Sequence, residues 1–208
     1  MNRHIGVRHL LGSAVALTIC VVASALPRAQ APLAIDSARI TISGTSNIHA
    51  YTASTTEIRV TRAQFAAPKE GVDMWANALN PGGVTAFEVA IPAATLTSPR
   101  EGLDKNMHKA LQATEHPDIL FRLLRFEPRP GAASGLRAIG VLTIAGVERE
   151  VAMNITTARK GAALSVQGQL QLLMTDWGIK PPVALMGMLK TDPKVTVTFE
   201  ATLGMPLT

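Results

Sequence analysis

Most of the chain beyond Leu33 alternates hydrophobic and polar residues with a period of two. The clearest stretch is "LSVQGQLQLLM", in which Leu, Val, Gly and Met share one face and Ser and Gln share the other. Such alternation predicts strands with one buried and one solvent-facing side. The pattern predicts eight strands, over Ile35–Ser43, Tyr51–Val60, Val84–Ile91, Ile119–Phe126, Leu136–Ala145, Glu148–Thr157, Leu164–Met174 and Val195–Leu203.

Short connections rich in Gly and Pro separate the later strands. "PRPGAASG" precedes Leu136, and Gly146 and Gly161 stand between the strands that follow. Consecutive strands with short turns predict an all-β antiparallel meander, which either stacks as a sandwich or closes as a barrel. We expect the two irregular segments to be an excursion with a helical turn at 61–83 and a loop over one end of the sheet at 176–194.

One segment in the middle of the chain has helical periodicity. Its apolar residues share one face of an amphipathic helix over about 99–114, which we expect to pack near one end of the sheet: Leu103, Met107, Ala110 and Leu111. Ser98 is the candidate N-cap and Glu101 its capping-box partner. The helix should end before Pro117, because a residue that precedes proline avoids the α conformation.

Four polar residues around this helix are candidates for chemistry. Asp104 and His108 lie one turn apart and are expected to pair at the rim of the helix. If His49 or His116 converged on them, the group could form a metal or acid–base site. The alternative is a structural pair, with His49 bonding the turn after the first strand. The sequence contains no GxSxG, HExxH, phosphate-loop or dinucleotide motif, which favours a protein that is not an enzyme.

Composition argues against nucleic-acid binding and against cysteine-based sites. The net charge is +5, the charges are dispersed, and the chain has one Tyr, two Trp and five Phe. Stacking platforms for nucleic acid are therefore not expected. The single cysteine, Cys20, lies in the N-terminal apolar segment, so we expect no disulfide, cysteine nucleophile or thiolate metal site.

Residues 1–31 have the features of a signal peptide. Arg3 and Arg8 precede the apolar run Leu10–Val22, and small residues near positions 25 and 31 provide two candidate cleavage sites. We expect a periplasmic or secreted protein, with residues 32–208 forming a single domain.

Several stretches, in this order, resemble members of the YceI-like family of exported proteins. They are "GTSNIH", "IPAATLTSPREGLDKNMHKALQATEHPDILFRL", "GVLTIAGVEREV", "LQLLMTDWGI" and "KVTVTFEATL". The resemblance implies an eight-stranded, antiparallel, lipocalin-like β-barrel with a short helix near one end. It also implies an elongated apolar cavity that holds a polyisoprenoid chain, such as a quinone tail. His49-Ala50-Tyr51 departs from the His-Asp-Trp that relatives often carry, which removes an acid from that turn.

On this basis we expect a carrier that binds an isoprenoid lipid or a quinone, with no other cofactor and no nucleic-acid partner. Transient membrane contact and a homodimer are compatible with it. The inward strand faces and the helix stripe are expected to line the cavity: Phe87, Met107, Leu111, Phe121, Leu142, Met153, Leu170, Leu172, Met174, Val197 and Phe199. His49, His108 and Trp177 are candidate polar groups at its mouth.

Two alternatives remain open at the level of sequence. One is a periplasmic enzyme or metal site that uses His49, Asp104, His108 and His116. The other is a stress-response or interaction module whose barrel is filled by its own side chains and holds no ligand.

Overall fold

The computed structural model describes residues 33–129, 135–184, 186 and 188–204, so the expected signal peptide lies outside the described residues. Within them the chain forms ten strands and two α-helices. The strands are β1 (Ala34–Ser46), β2 (Ala50–Thr55), β3 (Arg59–Phe65), β4 (Val84–Pro92), β5 (Asp118–Pro128), β6 (Gly135–Ile144), β7 (Val147–Lys160), β8 (Ala163–Leu173), β9 (Val183–Ala184) and β10 (Leu189–Gly204). The helices are α1 (Met74–Leu79) and α2 (Glu101–Ala110), and 3₁₀ turns occupy Ala93–Thr95 and Met174–Trp177.

All the strands belong to one antiparallel arrangement. The order across the sheet is β2-β1-β10-β8-β7-β6-β5-β4-β3, with β9 paired to β10. Strands β3 to β8 follow one another as a meander, and β10 returns to pair with β1. The prediction of an all-β, antiparallel, lipocalin-like fold is confirmed.

The predicted number of strands was wrong by two. The segment Tyr51–Val60, expected to be one strand, is interrupted between β2 and β3, and the short β9 lies within the predicted loop at 176–194. Two hydrogen bonds meet at the interruption: the Thr55 hydroxyl accepts from the Glu57 N–H at 3.0 Å and shares a bond of 2.7 Å with the hydroxyl of the distant Thr95. The first of these bonds takes the Glu57 N–H away from ladder pairing.

The same interruption explains why the sheet curls. Strands β2 and β3 lie at opposite ends of the strand order, yet only residues 56–58 separate them along the chain. Ser54 of β2 exchanges two backbone hydrogen bonds with Thr97, at 2.8 and 3.0 Å, although Thr97 follows β4 at the other side of the sheet. The two ends of the sheet are therefore brought together.

Two buried clusters occupy opposite ends of the curled sheet. One surrounds α1 and contains Leu33, Trp75 and Leu164. The other includes Leu96 and Trp177, and the apolar face of α2 packs against it. The expected helical turn in 61–83 is α1, whose N-cap Asp73 accepts hydrogen bonds from the N–H groups of the first turn.

Helix α2 is shorter than predicted and begins differently. Its N-cap position is Arg100, so the predictions of Ser98 as N-cap and Glu101 as capping-box partner were wrong. The Ser98 hydroxyl instead donates to the Arg100 carbonyl at 3.0 Å, and the Ser98 N–H donates to Asp104 Oδ1 at 2.8 Å. The helix ends before Pro117, as predicted, and Gln112 with φ 52° turns the chain after it.

Candidate functional site

An apolar cavity runs through the curled sheet from the α1 end to the α2 end. Its volume is about 330 Å³, within the range of about 300–1,000 Å³ that is usual for ligand pockets. Aliphatic, methionine and aromatic side chains make up nearly all of its wall. The few residues with a hydroxyl or carboxylate are Tyr51, Thr157, Thr191 and Glu200.

Strand alternation positions this wall. In β8 the side chains of Leu164, Val166, Leu170 and Leu172 line the cavity, whereas the three glutamines between them are exposed. In β10 the cavity is lined by Val195, Val197, Phe199 and their inward neighbours. All eleven residues predicted as lining residues belong to the wall: Phe87, Met107, Leu111, Phe121, Leu142, Met153, Leu170, Leu172, Met174, Val197 and Phe199. That they contact a ligand stays a prediction.

Other lining residues were absent from that prediction although a signal for them existed. Ile40 and Ile42 alternate in β1, and Val60 continues the same inward face in β3. The alternation in these strands is weaker because β1 and β3 contain bulges, which shift the register of inward and outward residues.

Three glycines let aromatic rings lie flat against the wall. The ring of Phe199 covers Gly168, that of Phe121 covers Gly140, and that of Tyr51 covers Gly44; a Cβ at any of these glycines would overlap the ring. Glycine in a strand commonly marks such a close approach. Rings that occupy the space above glycine extend less far into the cavity, which leaves it open.

Helix α1 covers one end of the cavity. Trp75 and Ala78 of α1 are almost fully buried, with 1% and 2% exposure, and they pack with Leu33 and Leu164. The Trp75 indole donates through Nε1 to the Ala162 carbonyl at 2.8 Å, and Phe65 meets its ring edge-to-face with centroids 6.4 Å apart. Because its N–H is bonded to the wall, Trp75 presents an apolar surface to the cavity.

At the α2 end, several residues that line the cavity are partly exposed. Leu103, in the first turn of α2, lines the cavity there and is only half-buried, as are Tyr51, Pro182 and Thr191. Pro182 and Thr191 form the base of the β9–β10 hairpin, where the Thr191 N–H donates to the Pro182 carbonyl at 3.1 Å. We refer to this end, between α2, the β1–β2 turn and the β9–β10 hairpin, as the mouth.

Tyr51 is a polar group of the mouth, and the pKa of its phenol is shifted. Burial raises the pKa of its phenol, and the negative charge of Asp192 raises that pKa further. The hydroxyl therefore stays protonated at neutral pH and can donate a hydrogen bond to a ligand at this position.

The three predicted mouth groups have different locations. Trp177 lines the cavity and is buried, and its Nε1 donates to the Leu142 carbonyl at 3.2 Å. His49 lies on the outer side of the mouth, where its ring contacts Ser46 Oγ at 3.2 Å and the Arg100 guanidinium. His108 is bonded through Nε2 to the Leu96 carbonyl at 2.8 Å and does not line the cavity.

The four candidates for chemistry do not converge. Asp104 bonds the Ser98 N–H and His108 bonds the Leu96 carbonyl, so the expected Asp104–His108 pair is replaced by two separate contacts with the backbone. The ring of His116 packs on Gly146. Across the described ranges, no group of three or more His, Cys, Asp or Glu is placed to hold a metal ion.

In the part of the chain that the structure describes, no helix has the length and apolarity needed to cross a membrane.

Solved structures with the same fold share little sequence with this chain. BcnA of Burkholderia cenocepacia is 14% identical, with a TM-score of 0.63 over 79% of this chain and 95% of its own. A polyisoprenoid-binding domain of Saccharophagus degradans, implicated in plant cell wall breakdown, is 12% identical, with a TM-score of 0.60 over 84% of this chain and 99% of its own. The Campylobacter jejuni YCEI protein is 14% identical, with a TM-score of 0.54 over 76% of this chain and 82% of its own.

Sequence comparison gives the family directly. No functionally curated protein matches the chain. The model of the YceI-like domain matches residues 33–203, a range that contains both helices, the residues that line the cavity and all of the strands except the last residue of β10. The chain is therefore a member of the YceI-like family.

Proposed function

We propose that this protein is an exported binding or carrier protein that holds the isoprenoid chain of a lipid, such as the tail of a quinone, in its cavity. The observation that carries the proposal is the cavity itself, which is apolar along its length, covered by the buried Trp75 at one end and bordered by the half-buried Tyr51 and Thr191 at the other. The shared fold of the polyisoprenoid-binding domain from Saccharophagus degradans supports it.

The shape of the cavity suits a long chain with one polar end. Each buried CH₂ group contributes about 0.8 kcal/mol to binding, and the wall offers an isoprenoid few polar groups to desolvate. The apolar end of the chain would point towards Trp75 and the head group would remain at the mouth. There the Tyr51 hydroxyl and Thr191 are available for hydrogen bonds.

The alternatives are less well supported. A ligand-free module would fill its interior with its own side chains, whereas this interior retains a cavity of about 330 Å³. An enzyme would need its polar groups to be placed together, whereas Asp104 and His108 have separate backbone partners. We accordingly propose binding without catalysis, and a periplasmic or secreted location that follows from the expected signal peptide.

The first experiment is native mass spectrometry of protein purified from its own host, followed by organic extraction of any bound lipid. A mass increment that disappears on extraction, together with an isoprenoid in the extract, would support the proposal. If no isoprenoid co-purifies and added ubiquinone is not taken up, the carrier function is wrong.

A matched pair of substitutions in β10 tests the location of the ligand. Val197 faces the cavity and Thr198, the next residue, is exposed on the outer face. Val197→Trp should obstruct the cavity and lower quinone uptake by at least roughly ten-fold, whereas Thr198→Trp should leave uptake unchanged. Equal uptake by the two variants, with both folded by circular dichroism, would place the ligand outside the cavity.

A further inference from the structure

The most exposed large apolar side chains in the described part of the chain gather around the mouth. Ile48, Val183, Met186 and Met188 are each more than half exposed, and we refer to these four residues as the apolar rim. The other exposed large apolar side chains are only 37–44% exposed and are scattered over other elements: Val72, Leu120, Leu124 and Leu173. Scattered apolar residues are normal on a protein surface, but a cluster commonly marks an interaction site.

Hydrogen bonds hold the two segments of the apolar rim together. The Asn47 side chain donates through Nδ2 to the Met188 carbonyl at 2.8 Å and accepts from the Lys190 N–H at 2.8 Å. The Asn47 N–H also donates to the Lys190 carbonyl at 3.1 Å. Ile48, the residue after Asn47, is thus fixed beside the β9–β10 hairpin that carries the other three residues.

Three cations flank the apolar rim, and the carboxylate of Asp192 lies near Tyr51 at the same mouth. Lys190 is exposed at the start of β10, Lys180 is exposed before the hairpin, and the Arg100 guanidinium contacts His49 beside Ile48. None of the salt bridges among the described residues uses these three cations. Apolar side chains with neighbouring basic groups are the combination that binds the surface of an anionic bilayer.

The apolar rim is also continuous with the cavity. Two residues of the mouth belong to the hairpin, because Pro182 directly precedes β9 and Thr191 lies in its partner strand β10. Tyr51, the third, lies three residues after Ile48. A surface that rests on the apolar rim would therefore cover the mouth.

We propose that the apolar rim docks on the surface of an anionic phospholipid bilayer and brings the mouth to the membrane, so that an isoprenoid chain passes into the cavity without crossing water. This inference rests on the proposed carrier function. A bilayer fits the apolar rim better than a second copy of the chain, because a stable protein interface involves about 20–30 residues on each side. The apolar rim offers four residues at the end of a hairpin and a turn.

The test is co-sedimentation with vesicles of phosphatidylethanolamine and phosphatidylglycerol. The chain used begins at residue 32, because the described strands and helices lie within 34–204. The rim variant carries Ile48→Ser, Val183→Ser and Met188→Ser; the control variant carries the same number of substitutions outside the apolar rim, Val72→Ser, Leu124→Ser and Leu173→Ser. We expect the rim variant to lose at least roughly ten-fold in vesicle binding and the control to change by less than about two-fold.

The contribution of the cations is tested separately. Arg100→Gln with Lys190→Gln should weaken binding to vesicles that contain phosphatidylglycerol and should leave the weaker binding to pure phosphatidylcholine vesicles unchanged. Equal losses on both kinds of vesicle would contradict the charge part of the proposal.

A second measurement separates this proposal from the carrier function. Farnesol, a short isoprenoid, is offered in solution without vesicles, and transfer of ubiquinone out of vesicles is followed in parallel. The rim variant should bind farnesol like the parent but remove ubiquinone from vesicles more slowly. If the parent binds farnesol but does not sediment with vesicles, the docking proposal is wrong and the carrier function stands. If the parent sediments with vesicles but binds neither farnesol nor ubiquinone, the carrier function is wrong, and so is the role proposed for docking. The oligomeric state of both proteins is measured as well. If the parent does not sediment with vesicles and is a dimer, and the rim variant is a monomer, the apolar rim is a contact between copies of the chain and the proposal is overturned.

Discussion

Gly168→Ala is the substitution for which the structure makes the sharpest prediction. Gly168 of β8 lies beneath the ring of Phe199 in β10, its partner in the sheet. A methyl group at position 168 would overlap that ring and would lie 3.1 Å from the Asn154 carbonyl oxygen. The ring must therefore move towards the interior of the cavity.

Two effects of opposite sign set the change in stability. Overpacking in a well-packed site costs about 1–3 kcal/mol. Replacing a strand glycine by alanine returns about 0.5–1 kcal/mol, because the unfolded chain loses conformational freedom. We expect Gly168→Ala to lower the free energy of unfolding by up to about 2.5 kcal/mol, the difference between the two effects, and to reduce quinone uptake because the displaced ring occupies part of the cavity.

The control is the same chemical change where the structure leaves space. Gly102 lies in α2 with no atom within 4 Å of an added Cβ, so Gly102→Ala should stabilise the protein by up to about 1 kcal/mol through helix propensity. Urea unfolding of both variants measures the two changes. Adding Phe199→Leu to Gly168→Ala should recover part of the loss in stability. If Gly168→Ala is as stable as the parent and takes up ligand equally well, the close approach of Phe199 to Gly168 is refuted.

Three further predictions concern the two ends of the cavity. Tyr51 is the one tyrosine of the chain, so tyrosinate absorbance measures the ionisation of this residue alone. The pKa of its phenol should lie above the ordinary value of about 10. Asp192→Asn should lower that pKa, because it removes the negative charge beside the phenol. Because the folded-state pKa is raised, the contribution of Tyr51 to stability is complete below about pH 10 and is lost as the pH rises through the folded pKa; Tyr51→Phe should remove this part of the alkaline destabilisation. Trp75→Phe should cost about 1–3 kcal/mol in urea unfolding, because the Ala162 carbonyl loses its donor, and a cost near zero would contradict the buried hydrogen bond. A quinone head group at the mouth should quench the fluorescence of Trp177 more than that of Trp75. Each tryptophan is measured in a variant in which the other has been replaced. Stronger quenching of Trp75 would show that the ligand binds in the opposite orientation.

Local pattern was enough to predict most of the strands and the faces that line the cavity. In β8 and β10 the period of two assigns alternate side chains to opposite faces of a sheet, and it identified Leu170, Val197 and Phe199 as inward residues. The helical period likewise identified Met107 and Leu111 as the apolar face of α2. These assignments depend on residues two to four positions apart, so they can be read from the chain itself.

The partners of polar side chains could not be read in that way. Asp104 and His108 have the spacing of a helical pair, but each is closer to an unpaired backbone group of the preceding loop, at Ser98 and Leu96. The helix start moved for a related reason, because the Ser98 hydroxyl bonds the Arg100 carbonyl rather than the first turn of the helix.

By itself the sequence determined an all-β antiparallel domain, its inward faces and its amphipathic helix, because these follow from periodicities of two and 3.6 residues. Only the tertiary structure decided where β2 ends and β3 begins, since contacts between distant residues such as Thr55 and Thr95 hold that bend. It also decided that Trp75 covers one end of the cavity and that the β9–β10 hairpin borders the other. Which residues meet at each end depends on how separate segments come together in space, and no local pattern of residues contains that information.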